Sequence, residues 1–159
     1  MCNNKTSFLF FLISALSIVT FAQEAIVEEV KWYTNFEEAK LIAKKTSKPI
    51  LLRFQGSDWC VNCWRLDSTL FETKQFESFV DNKFVLVAID FPAKPQNKLP
   101  KNIELINKKL LNKYNPNGAF PALKVLNSNG DLIGEMSVKP NQTDSYIDEL
   151  RSIILKTKQ

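Results

Sequence analysis

The chain has 159 residues, 45% of them hydrophobic and 24% charged, which fits one ordinary globular domain and excludes a fibre or a disordered tail. Histidine is absent, and with it go the Ser-His-Asp and Cys-His catalytic arrangements and every metal site that relies on imidazole. The formal charge of +4 is spread along the chain rather than gathered on one basic face, so no nucleic-acid partner is expected.

Residues 1–22 read as a secretory signal peptide. Lys5 supplies the positive start, Phe8 to Val19 is apolar but for serines, and Ala22 offers a small residue for cleavage. The run is short of the ~20 residues that span a bilayer, so cleavage is expected rather than retention as an anchor. Residues 23–159 then form one domain with no membrane attachment, exported across the inner membrane to the periplasm if the source is a Gram-negative cell. Cys2 leaves with the signal, and Cys60 and Cys63 remain as a C-x-x-C pair.

Val30 to Tyr33 suits a brief edge strand. Thr34-Asn35-Phe36-Glu37 has a capping-box pattern, opening a helix with Phe36, Ala39, Ile42 and Ala43 on one face and ending before Lys48-Pro49. Ile50 to Gln55 is a strand, Gly56-Ser57-Asp58 a turn, and a second helix begins at about Cys60, with Asp58 placed to cap it. Phe76, Phe79 and Val80 continue a helical pattern. Phe84 to Ile89 is a buried parallel strand by its unbroken apolar character. Phe91 to Pro100, with three prolines, is a loop leading to a helix with Ile103, Ile106 and Leu110 on one side. Pro121 to Leu126 and Asp131 to Val138 form an antiparallel hairpin through Ser128-Asn129-Gly130. Tyr146, Ile147, Leu150, Ile153 and Ile154 recur at helical spacing in a last helix, with Lys156 and Lys158 near its negative end. The order β-α-β-α-β-α-β-β-α describes an α/β fold, a mixed central sheet with helices on both faces.

A C-x-x-C pair can be half a zinc site, a short structural disulfide or a redox centre. Zinc would need two further Cys or His ligands, and residues 23–159 contain none, so no metal site is expected. A disulfide closing so short a loop removes little chain entropy, which makes stability a poor reason for it. Redox use leads. A thiol with pKa ~8.5 is only about 3% thiolate at pH 7, and a helix N-terminus raises that fraction by favouring the anion. Cys60, at the helix start, is the expected nucleophile, and Cys63, one turn on, the resolving thiol. Trp59 shields the pair on one side, and Trp64 packs at the surface or in the core.

The segment Gln55-Gly56-Ser57-Asp58-Trp59-Cys60-Val61-Asn62-Cys63, following a buried strand, resembles the active-site segment of thioredoxin-like proteins, particularly secreted bacterial ones with a Ser-Asp-Trp-Cys lead-in. The likeness covers about residues 30–155. It implies a thioredoxin fold and a thiol-disulfide oxidoreductase acting on protein thiols or disulfides, with a redox partner that regenerates the pair. It also implies that Phe120-Pro121 holds a cis bond beside the cysteines, and that Trp59, Phe120 and Pro121 contact substrate. A monomer with no cofactor is expected. Two departures stand out. Val61-Asn62 replaces the Gly-Pro of cytosolic thioredoxin, which leaves the direction of electron flow open. Arg53 falls where thioredoxin has a buried aspartate, and either stabilises the Cys60 thiolate or extends to the sheet edge and pairs with a carboxylate. The rival readings are a binding or chaperone module with an idle disulfide, a dithiol that carries Cu(I), a metal suited to soft thiolates, and, least favoured because no threonine-rich loop surrounds the pair, peroxide reduction.

Overall fold

The computed structural model describes residues 30–138 and 143–156, so the expected signal at 1–22 and Lys158 lie outside the described residues. Asn35 opens the first helix: its side-chain oxygen accepts the backbone N–H groups of Glu37 at 3.1 Å and Glu38 at 3.2 Å. The cap is thus Asn35 and not Thr34 of the expected box. The elements run β1 (Trp32–Tyr33), α1 (Phe36–Thr46), β2 (Ile50–Gln55), α2 (Val61–Leu66), a π turn (Asp67–Phe71), α3 (Lys74–Val80) and β3 (Val85–Asp90). After a 3-10 turn (Pro95–Asn97) come α4 (Lys101–Tyr114), β4 (Ala122–Leu126), β5 (Leu132–Met136) and α5 (Thr143–Lys156).

The five strands order as β1-β3-β2-β4-β5. β2 lies at the centre, parallel to β3 with Leu52 opposite Val87, and antiparallel to β4 with Leu52 opposite Lys124. Alternation along the strands divides the core in two. Ile50, Leu52, Phe54, Val85, Val87 and Ile89 pack under α1 and α4. Leu51, Leu86, Leu123 and Val125 face α2, the π turn, α3 and α5. The expected layered fold and its element order are present.

Three details differ from the sequence reading, each for a local reason. The second helix is broken into α2, the π turn and α3, with Thr73 capping α3 through a bond from the Phe76 N–H. On α4 the buried positions are Asn107, Leu110 and Tyr114, while Ile106 is 44% exposed. The buried stripe follows Asn107 because its amide donates to the Asp90 carbonyl at 2.9 Å, a buried polar group satisfied at a strand end. The β4–β5 hairpin closes over Asn127 to Gly130, with Asn127 Oδ1 accepting from the N–H groups of Asn129 and Asp131. Of these turn residues Gly130 takes the left-handed conformation, φ +89°, so the turn is longer than a two-residue Asn-Gly loop.

Candidate active site

β2 delivers the chain to the site, and the turn after it is held by the neighbouring strand. Asp90, the last residue of β3, accepts the Ser57 N–H at 2.8 Å and the Ser57 hydroxyl at 2.6 Å. Asp58 reaches across to the loop that follows, accepting from the Ala93 N–H at 2.8 Å and, on its other oxygen, from the Lys94 N–H and the Asn97 amide at 2.9 Å each. The expected capping role of Asp58 is therefore corrected. The α2 cap is Cys60, whose sulfur accepts the Cys63 N–H at 3.2 Å, and Asp58 spends its oxygens on residues 93–97 instead.

The hydrogen bond from Ala93, with smaller contributions from Asn97 and Lys94, holds the Asp58 carboxyl below its ordinary range against the opposing effect of desolvation. A carboxyl so depressed helps the folded state above its unfolded pKa of ~3.9 and loses that help as pH falls through the lowered value. Asp58→Asn is expected to speed amide exchange at Ala93 and Lys94 by about tenfold at neutral pH. Exchange unchanged at both amides would show that the loop is held by something else.

Cys60 and Cys63 are joined in a disulfide with Cα atoms 5.2 Å apart. Cys63 is 1% exposed and Cys60 4%, while their neighbours Trp59, Val61 and Trp64 are 44%, 58% and 47% exposed. Apolar side chains thus ring a nearly covered sulfur pair. Trp59 is fixed at three points: its indole N–H donates to the Phe91 carbonyl at 2.7 Å, its ring meets Phe120 edge-on at 5.3 Å, and Gly56 lies beneath it. A Cβ on Gly56 would fall 2.2 Å from the Trp59 ring, so glycine is required by close approach rather than by backbone conformation. Trp64 lies at the surface, its indole N–H donating to the Ser57 carbonyl at 2.9 Å.

The Phe120-Pro121 bond is cis, as expected. Phe120 and Pro121 line one wall of a cleft of about 370 Å³ whose other residues include Asn62, Arg65 and Leu66 of α2. The structure therefore brings Trp59, Phe120 and the disulfide segment together and sets Pro121 across the cleft from α2. The Ala119 carbonyl accepts a bond from the Asn115 amide at 2.9 Å.

Arg53 pairs with a carboxylate, but inside the protein and not at a sheet edge. It is 7% exposed, stacked between Trp32 and Phe71 at 5.7 and 4.7 Å, with one guanidinium nitrogen 2.5 Å from Asp67. Its Nε has no partner among the described residues. Burial lowers the Arg53 pKa and raises that of Asp67, each against the pull of the other's charge. Asp67 stands one turn beyond Cys63, its N–H bonded to the Cys63 carbonyl, so the pair lies at the far end of α2 from Cys60.

Sequence reasoning did not single out Asp90, Phe91, Asn107 or Arg65. Asp90 had a findable signal, an acid closing a buried parallel strand at the carboxyl end of the sheet, where open α/β sheets build their sites. Phe91 holds Trp59 through its carbonyl, which leaves no trace in side-chain identity, and meets Phe120 with its ring at 5.5 Å.

Residues 31–127 match the model of a family described as thioredoxin-like. The chain is 29% identical over 122 residues to the disulfide bond reductase DsbH of Chlamydia pneumoniae, covering 77% of this chain and 72% of that protein. It is 27% identical to the thioredoxin-related protein DsbJ of the same organism, covering 87% of this chain but only 39% of DsbJ. A solved structure described as DsbH oxidoreductase superposes with a TM-score of 0.72 at 28% identity, over 80% of this chain and 85% of that one. Sheet order, a C-x-x-C disulfide opening a helix and the family match over most of the domain agree, and the chain belongs to the thioredoxin-like family.

Proposed function

We propose that the protein is a thiol-disulfide oxidoreductase that reduces disulfides of extracytoplasmic proteins, with Cys60 attacking and Cys63 resolving. The observation that carries this is the placement of the pair: Cys60 is the N-cap of α2, its sulfur already accepting a backbone N–H, with Cys63 one turn behind it. That N–H and the helix start favour a thiolate at Cys60. The thiolate attacks one sulfur of a substrate disulfide and expels the other as thiolate. Cys63, losing its proton, then attacks Cys60, forms the internal disulfide and releases the second substrate thiolate. Two electrons pass from protein to substrate, and the released thiolates take up two protons. A dithiol partner restores the reduced pair by the reverse exchange. Trp59, Phe120 and Pro121 supply an apolar surface for the substrate chain.

The reductive direction rests on the likeness to a protein named as a reductase. Location outside the cytoplasm rests on residues 1–22, and among the described residues no helix is long and apolar enough to cross a membrane. The protein is read as a monomer. Equilibration in glutathione buffers tests the direction: a reduction potential below about −220 mV is expected, and one near −120 mV, that of a strong oxidant, would reverse it. No exchange with any thiol would remove the oxidoreductase reading itself and leave an idle disulfide.

A further inference from the structure

The cleft beside the disulfide is apolar on one wall and charged at one point. Leu66, Phe120, Pro121 and Val138 supply the apolar surface, and among the described lining residues Arg65 alone carries a charge. Arg65 is exposed and donates one bond, to Asn62 Oδ1 at a long 3.3 Å. Among the described residues no carboxylate pairs with it, whereas Arg53 and Arg151 each have one. A guanidinium carries five N–H groups in a planar fork, so most of its donors are unused at the cleft rim.

Charge complementarity then specifies the occupant. We propose that this cleft selects substrate segments carrying a glutamate or aspartate close to the reacting cysteine, with Arg65 as the specificity-determining residue. The inference rests on the oxidoreductase reading and adds to it a substrate class. Arg65 lies five residues beyond Cys60, about 7–8 Å along a helix at ~1.5 Å per residue. An extended peptide covers that distance in about two residues at ~3.3 Å each. The acidic side chain therefore stands two residues from the cysteine under attack, its carboxylate on Arg65 and its flanking apolar neighbours against Phe120 and Pro121.

The test uses the reduced protein and peptide disulfides that differ at one position, with Glu, Gln or Lys two residues to either side of the cysteine. At low salt the Glu peptide is expected to be reduced about fivefold faster than the Gln peptide, the gain an exposed ion pair supplies, and the Lys peptide more slowly than either. The preference should shrink in 1 M salt. Arg65→Glu should reverse the order, and Arg65→Lys should keep its sign. Lys45→Glu, on α1 across the sheet from the cleft, makes the same change in net charge and should leave the preference intact. Equal rates for the three peptides, or an order that Arg65→Glu does not alter, would overturn the proposal while leaving the oxidoreductase reading in place. If the wild-type protein reduces none of the peptides, that reading fails and the substrate preference fails with it.

Discussion

Cys60→Ser is expected to reduce disulfide exchange to the background rate of free thiols, whereas Cys63→Ser should keep the first step and accumulate a mixed disulfide with substrate. The asymmetry comes from position. Cys60 caps the start of α2, itself 4% exposed between two side chains that are each 44% or more exposed, and Cys63 is 1% exposed one turn on. An incoming disulfide meets Cys60 first and can be released only by the thiol one turn below. Mass spectrometry of the trapped adduct checks this. An adduct on Cys63 in the Cys60→Ser variant, with none in the other, would exchange the two roles.

The second large effect concerns stability. Asp67→Asn leaves Arg53 charged, 7% exposed and without its carboxylate, and its Nε lacks a partner among the described residues even in the intact pair. Breaking one side of a buried pair costs about 3–5 kcal/mol; because Asp67 keeps 26% of its side-chain exposure, about 2–3 kcal/mol is expected here. Replacing both partners by apolar residues of similar size, Arg53→Met with Asp67→Leu, should return to within about 1 kcal/mol of the wild type. Urea unfolding of the single and double variants decides it, and a double variant no better than Asp67→Asn would show that the charge pair is not what the single change disturbs. The pH dependence has a definite sign. Burial holds the Asp67 carboxyl above its ordinary range, so between the unfolded and folded pKa values the native state binds the extra proton, and this group's contribution falls as pH rises through that window.

The fold was largely legible because strong local signals agreed with one another. The apolar runs at residues 50–55 and 84–89 became the central parallel pair, Asn129-Gly130 fell in the β4–β5 turn, and the spacing from Tyr146 to Leu150 gave the buried face of α5. Cys60 and Cys63 were legible because setting aside zinc and a purely structural disulfide put redox use first. What escaped depended on the phase of a helix or on backbone atoms. The π turn inserts an extra residue into the ladder, and a pattern read at 3.6 residues per turn cannot carry a face through it. The choice of Asn107 over Ile106 for the buried stripe follows from a carbonyl at the end of β3. The partner of Arg53 was hidden for the same reason: Asp67 faces it only once the strand and the helix are packed.

The near-complete cover over the two sulfurs also bears on how the protein endures oxidants. Cysteine climbs from sulfenic to sulfinic and sulfonic acid when successive peroxide molecules reach the same sulfur, and only the first rung reverses easily. A sulfenic acid on reduced Cys60 would have Cys63 within one helical turn, close enough to condense with it to the disulfide with loss of water. Cys63, at 1% exposure, is itself shielded from peroxide. Peroxide and substrate disulfide therefore lead to the same oxidised form, and any dithiol partner that resets one also repairs the other.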